Sequence, residues 1–274
     1  MKTALITGGS SGFGLEFAKQ LAAQKYKLIL VARDLDQLEN VAIDLTKQFG
    51  VKVAVLAGDL AEEKFVAKVT AKIRETKNLE ILINNAGFGL HESLLDSGAA
   101  AIAKQKAAFA VMAQNILEFS AAAAGNMLAQ KIDGDSKNNF AKDFHGQIIN
   151  IASTSAWTYQ GNYSAIKHWV VSYTEGLALE LRETGITATA VCPAWMHTDF
   201  HKGAGLQEPS VPEWLFVRPE IAAKVGLRDA RKGKILSVPT AKWKIIIWCL
   251  SHGPRGWGRW VSRKYMSSRN YQGK

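Results

Sequence analysis

The 274-residue chain has only two cysteines, Cys192 and Cys249, far apart and without paired spacing. That excludes a disulfide framework and a thiolate metal site, and it suits a reducing compartment. Long hydrophobic runs are also missing. The longest late one, IIIWCL at 245–250, falls far short of the ~20 apolar residues a membrane-spanning helix needs. At the start, the ALI of MKTALITGGSSGFG is too short for the core of a signal peptide and runs at once into a glycine-rich turn. A cytoplasmic protein is expected. No internal repeat and no linker interrupts the chain, so a single domain over 1–274 is expected. Acidic residues are absent from one region: Ala230 to Lys274 holds 11 Lys/Arg and no Asp/Glu. Residues 1–229 hold 23 basic and 24 acidic residues, so the net charge of +10 belongs to the tail.

Hydrophobic residues make up 47% of the chain and charged residues 21%, enough for a sizeable core and inconsistent with wholesale disorder. Short apolar runs alternate with helical periodicity. Strands are expected at 3–7, 27–33, 52–60, 79–87, 145–153 and 186–194, and helices at 14–24, 34–50, 61–77, 98–130 (one or two) and 162–183. Strands alternating with helices mean βαβ units. Strands that are apolar throughout mean a parallel sheet covered on both faces. The polar stretch 131–146 reads as a surface loop. The stretch 199–230 reads as a lid beside a site, and 231–274 as a basic, aromatic-rich C-terminal extension.

TGGSSGFG (7–14) lies between the first strand and the first helix, with Gly8, Gly12 and Gly14 spaced G-x-x-x-G-x-G. Missing side chains let the backbone turn tightly and let a pyrophosphate approach the helix N-terminus, where free N–H groups favour anions. A dinucleotide site is expected, and with it a single doubly wound, Rossmann-type α/β sheet. Further along, NYSAIK puts Tyr163 one helical turn before Lys167. The spacing alone favours the plainer reading, two surface residues that happen to fall one turn apart. As a working pair, it would place a phenol beside an ammonium that favours its ionised form.

The glycine pattern, NNAG (84–87), YSAIK (163–167) and CPAWMHT (192–198) occur in an order that resembles the short-chain dehydrogenases/reductases. The resemblance covers about residues 1–200 closely. It extends more loosely through RPEIAAKVGLRDARKGK (218–234), which is similar to bacterial ketoreductase-like members with basic tails. It implies that Tyr163 gives a proton to a carbonyl, that Lys167 lowers the tyrosine pKa and holds the nicotinamide ribose, that Ser153 bonds the substrate oxygen and that Asn115 supports a water relay. Tyr163 follows Ser153 by ten positions where the family usually has thirteen, which leaves open whether Ser153 reaches the site or Ser155 substitutes. Asn115 lies thirty residues beyond Asn85, some six more than usual.

The implied cofactor-binding set comprises Gly8, Ser10, Ser11, Gly12, Phe13 and Gly14 of the turn, Arg33, Asp59, Leu60, Asn85, Ala86, Gly87, Pro193, Ala194 and Thr198, with Tyr163 and Lys167. Asn84 would help position the backbone. Ala194 stands where the family has glycine. Arg33 at the end of the second strand suits a 2′-phosphate, so NADP(H) is preferred over NAD(H). Asp59 also fits the N-cap of the helix after it. His197 and His201 are four apart but have no third partner, so no metal is expected.

The leading expectation is an NADP(H)-dependent oxidoreductase acting on a hydrophobic ketone, aldehyde or secondary alcohol. Trp157, Trp195 and the 200–217 segment would stand near the substrate, and the family implies a dimer or tetramer. A second reading is an NADP-binding sensor or membrane-associated interaction protein that does little chemistry. For the tail, packing of its tryptophans on the body, peripheral contact with an anionic membrane and nucleic-acid binding all remain, the last least expected.

Overall fold

The computed structural model describes residues 1–90, 92–135, 146–197 and 212–267. Seven strands form one parallel sheet: β1 (Thr3–Thr7), β2 (Lys27–Ala32), β3 (Val53–Ala57), β4 (Leu79–Asn84), β5 (Gly146–Ile151), β6 (Ile186–Val191) and β7 (Leu236–Ser237). Their order across the sheet is β3-β2-β1-β4-β5-β6-β7. Chain direction across the sheet reverses between β1 and β4, the place where a doubly wound sheet opens a crevice. Every residue of β1, β4 and β5 is buried, so these strands are mostly apolar, and the polar residues within them, such as Glu80, Asn84 and Asn150, are buried and hydrogen-bonded.

Helices α1 (Gly12–Ala23), α2 (Leu35–Phe49), α3 (Glu63–Glu75), α4 (Ala99–Phe109), α5 (Asn115–Asp135), α6 (Gly161–Glu180), α7 (Pro219–Arg231), α8 (Ala241–His252) and α9 (Arg255–Ser267) complete the described elements. Local signals fix several ends. Asp34 caps α2 by accepting from the Gln37 N–H at 2.9 Å, and Gly50 closes it in the left-handed conformation at φ 66°. On α3, Phe65, Val66, Val69, Thr70 and Ile73 form one buried stripe, and that stripe faces α5. On the other face of the sheet, α1 packs against α2 and α7.

Two expectations change, and a third is resolved. Of the 199–230 lid, residues 199–211 lie outside the described residues, while Pro219–Arg231 is helix α7. Its Ala222, Ala223, Leu227 and Ala230 are buried, so it is a core helix packed on α1 and the sheet. The extension does not begin at 231, because Leu236 and Ser237 pair with Ala190 and Val191 as the seventh strand. The 98–130 helix is interrupted by a π-helical turn, Ala110–Gln114. The 33 residues Ala99–Lys131 are long and apolar enough to cross a membrane by length and composition, but the apolar window is mostly buried, as in a core helix.

Candidate active site

The glycine turn is held from below. A Cβ on Gly14 would collide with the Gly8 carbonyl oxygen and the Asn85 amide, while Gly8 and Gly12 sit at φ 65° and 50°. Asn85 on the neighbouring strand end donates from Nδ2 to the Thr7 and Gly8 carbonyls at 3.0 and 3.1 Å. Thr7 Oγ1 in turn accepts from the Asn85 and Ala86 N–H groups, each at 3.0 Å. Sequence reasoning missed Thr7; its signal was a threonine ending a buried strand immediately before the turn. Ser11 at the N-cap of α1 makes no side-chain cap, and no acid occupies the first turn. The first N–H groups of α1 are thus open to an anion.

A cleft of about 510 Å³ runs along the C-terminal ends of the strands. Of the expected cofactor residues, Gly8, Ser10, Ser11, Gly12, Phe13, Arg33, Asp59, Leu60, Asn85, Ala86, Gly87, Pro193 and Ala194 line it, together with Ser153, Tyr163 and Lys167. Gly14 packs beneath the turn and does not line it. Thr198 lies outside the described residues. At one end of the cleft Arg33 lines the wall, whereas the carboxylate of the adjacent Asp34 is engaged as the α2 cap. Asp59 Oδ1 accepts from the Ala61 N–H at 2.9 Å; the N-cap of α3 is Glu62, so Asp59 is a turn residue and not the cap.

At the other end, β5 delivers Ser153 and the first turn of α6 delivers Tyr163. Despite the ten-position spacing, Ser153 stands close enough to Tyr163 for its hydroxyl to act on the phenol, and Ser155 lines the same cleft. Ser153 Oγ also accepts from the Ser155 N–H at 3.1 Å, starting a short 3-10 turn over Thr154–Trp157. Burial pushes the Tyr163 phenol well above its ordinary value, and the Ser153 hydrogen bond only partly opposes this. The expected lowering by Lys167 is therefore not what governs this phenol. Lys167 Nζ stands 5.7 Å from the Tyr163 ring centroid and donates to the Ile151 carbonyl at 2.8 Å. Burial pulls its ammonium down to about 8, with Cys192 acting in the opposite sense.

Asn115 differs from expectation. It is buried and absent from the cleft wall, and its Nδ2 donates to the Leu60 carbonyl at 2.7 Å. It ties helix α5 to Leu60, a residue of the cleft wall. Trp157 also leaves the pocket and packs against the core, whereas Trp195, Met196, Val111, Phe88, Leu90 and Gln160 line the cleft. Among the described residues no group of His, Cys, Asp and Glu is placed to hold a metal. His197 pairs instead with Glu213 at 3.0 Å.

The family profile of the short chain dehydrogenases matches residues 2–209. The chain belongs to the short-chain dehydrogenase family. This short-chain dehydrogenase is 31% identical over 205 residues to the diacetyl reductase of Staphylococcus epidermidis, which forms (S)-acetoin, covering 72% of each chain. Among solved structures, a short-chain dehydrogenase from Sphingobium yanoikuyae in complex with NADPH matches with a TM-score of 0.77 at 26% identity, over 100% of this chain and 98% of that one. The bulky-bulky ketone specific alcohol dehydrogenase from Comamonas testosteroni matches at 0.73 and 25%, over 100% and 96%. The protein is an oxidoreductase of the class that interconverts a carbonyl and its alcohol.

Proposed function

We propose that the protein reduces an apolar ketone or aldehyde with NADPH. The observation that carries this reading is the half-buried, desolvated Tyr163 phenol, which interacts with Ser153 in the wall of the cleft above the glycine turn. The open glycine turn fits a pyrophosphate, and NADPH supplies the hydride to the carbonyl carbon when bound. Tyr163 supplies the proton to the oxygen. A phenol kept neutral by burial is in the right form to donate, and Ser153 orients both it and the substrate oxygen. In this reading Lys167 holds the nicotinamide ribose, and its anchoring on the Ile151 carbonyl at 2.8 Å supports that role. Asn115 acts as a positioning residue through Leu60. The preference for NADPH rests on Arg33, whose guanidinium suits a phosphate and whose neighbour Asp34 is occupied elsewhere. The NADPH complex of the Sphingobium relative agrees with it.

The apolar preference rests on Trp195, Met196, Val111, Phe88 and Leu90 in the cleft. We further propose a dimer or tetramer through the long helices α4–α6, which leave Phe109, Leu117 and Leu179 exposed. Two free cysteines agree with a reducing, cytoplasmic setting. The test is Tyr163→Phe. Reduction of a carbonyl panel with NADPH falls by orders of magnitude while NADPH binding persists. Full activity in this variant would refute the mechanism.

A further inference from the structure

The tail's two helices are amphipathic in an uncommon sense. Their inner faces are small or buried: Trp243 and Ile247 of α8 enter the core, and Gly258 and Ser262 of α9 lie against the body. Their outer faces carry large apolar side chains. Ile245 is 65% exposed, Trp248 62%, Trp257 52% and Trp260 65%. Each pair, 245 with 248 and 257 with 260, is three apart and so shares one side of its helix. Lys244, Arg259 and Arg263 are exposed beside them. Among the described residues, none of these three has an ion-pair partner. The sequence from Ala230 onward offers no acid that could pair with them.

We infer that the outer face of α8–α9 docks on an anionic lipid surface. Tryptophan has an apolar body and one N–H, and it settles where hydrocarbon meets water; a helix with such residues beside Lys and Arg lies flat in the headgroup region. Charge complementarity selects the anionic surface over a neutral one. A second copy of this chain is disfavoured by the same charges. A two-fold contact of this face would bring the cations Lys244, Arg259 and Arg263 of the two copies together with no acid from the tail to intervene. Nucleic acid fits the charges but not Ile245, which cannot stack on a base, nor a patch with more large apolar groups than cations. This docking is independent of the reductase reading, because it uses no residue of the cleft.

The experiment is co-sedimentation of the full chain with vesicles of phosphatidylcholine alone and of equal parts phosphatidylcholine and phosphatidylglycerol. The wild type is expected to sediment with the anionic vesicles and to stay in solution with the neutral ones. Trp257→Ser combined with Trp260→Ser is expected to weaken vesicle binding by about tenfold or more. Arg259→Gln combined with Arg263→Gln is expected to erase the anionic preference. Far-UV circular dichroism and calorimetric NADPH binding, both unchanged, show that the variants fold. Four outcomes would overturn the proposal: no sedimentation with anionic vesicles, equal binding by folded Trp variants, release of the protein from vesicles by a DNA oligonucleotide it binds more tightly, or a vesicle-free dimer that the Trp variants lose.

Discussion

The hydroxyl of Ser262 accepts a hydrogen bond at 2.8 Å from the backbone N–H of Tyr159, a residue 103 positions earlier in the loop between Ser153 and Tyr163. Ser262 in turn donates to the Gly258 carbonyl at 2.7 Å, and a Cβ on Gly258 would come within 3.2 Å of the Tyr159 ring. The same loop is tied to α6 by Ser164, whose Oγ accepts from the Gln160 N–H at 3.1 Å. The last described helix therefore steadies the short segment that sets Ser153 against Tyr163. Ser262→Ala leaves the Tyr159 N–H without its partner, a cost of about 1–3 kcal/mol. Steady-state kinetics should show a several-fold fall in kcat with NADPH affinity unchanged. If kcat is untouched, the tail does not govern the loop.

Lys167 gives a pH signature. Its folded pKa is about 8 against an ordinary 10.5. Below about 8 the ammonium is charged in both states, and the folded protein carries the full cost of burying it. Between 8 and 10.5 the unfolded chain binds the extra proton, so this residue's contribution to stability rises with pH. Tyr163, with its raised pKa, works in the opposite direction at higher pH, so a difference measurement is needed. Urea unfolding of wild type and Lys167→Met should show the wild type gaining on the variant across that window. A difference that is flat with pH would contradict the buried ammonium.

Arg33 separates the two nicotinamide cofactors. Replacing it with serine removes charge-assisted bonds worth about 1.5–3 kcal/mol, roughly a ten- to hundredfold loss in NADPH affinity. NADH affinity should stay within error. Equal losses for both would mean that Arg33 is not at the phosphate.

Asp229 tests the fold where α7 meets β7. Its buried carboxylate is bonded to Lys234 at 3.1 Å, Ser237 at 2.9 Å and Arg228 at 3.0 Å. Burial alone would raise its pKa, but these three partners outweigh it and hold the carboxyl below 3.8. The stability it provides is present above pH 3.8 and is lost as pH falls through the folded value. Asp229→Asn should cost about 3 kcal/mol at neutral pH, and the gap should narrow in acid. A pH-independent gap would show that the carboxylate's charge is not what counts.

The sheet was legible because its strands are buried on both faces and so announce themselves as apolar runs, and the dinucleotide turn because glycine is the only residue that fits at position 14. β7 was not legible: two residues leave no periodicity to read. Helix α7 carries only a weak pattern in the sequence because much of its buried face is alanine, Ala222, Ala223 and Ala230. The role of Asn115 depends on the helical phase set just before it, which no spacing count reveals. The clamp of α9 on the loop rests on Gly258 and Ser262, small residues whose only signal is that they fit.

The π-helical turn at Ala110–Gln114 acts as a one-residue phase shift inside an otherwise continuous helix. Each helical residue turns the axis by roughly 100°, so everything from Asn115 onward presents a different side than an unbroken helix would. With that shift, Asn115 meets Leu60 across the cofactor wall, and Ala123 and Met127 point into the core. The two halves of the helix thus obey two clocks, one set by the pocket and one by the sheet, and a single residue deleted from the turn would put both out of time.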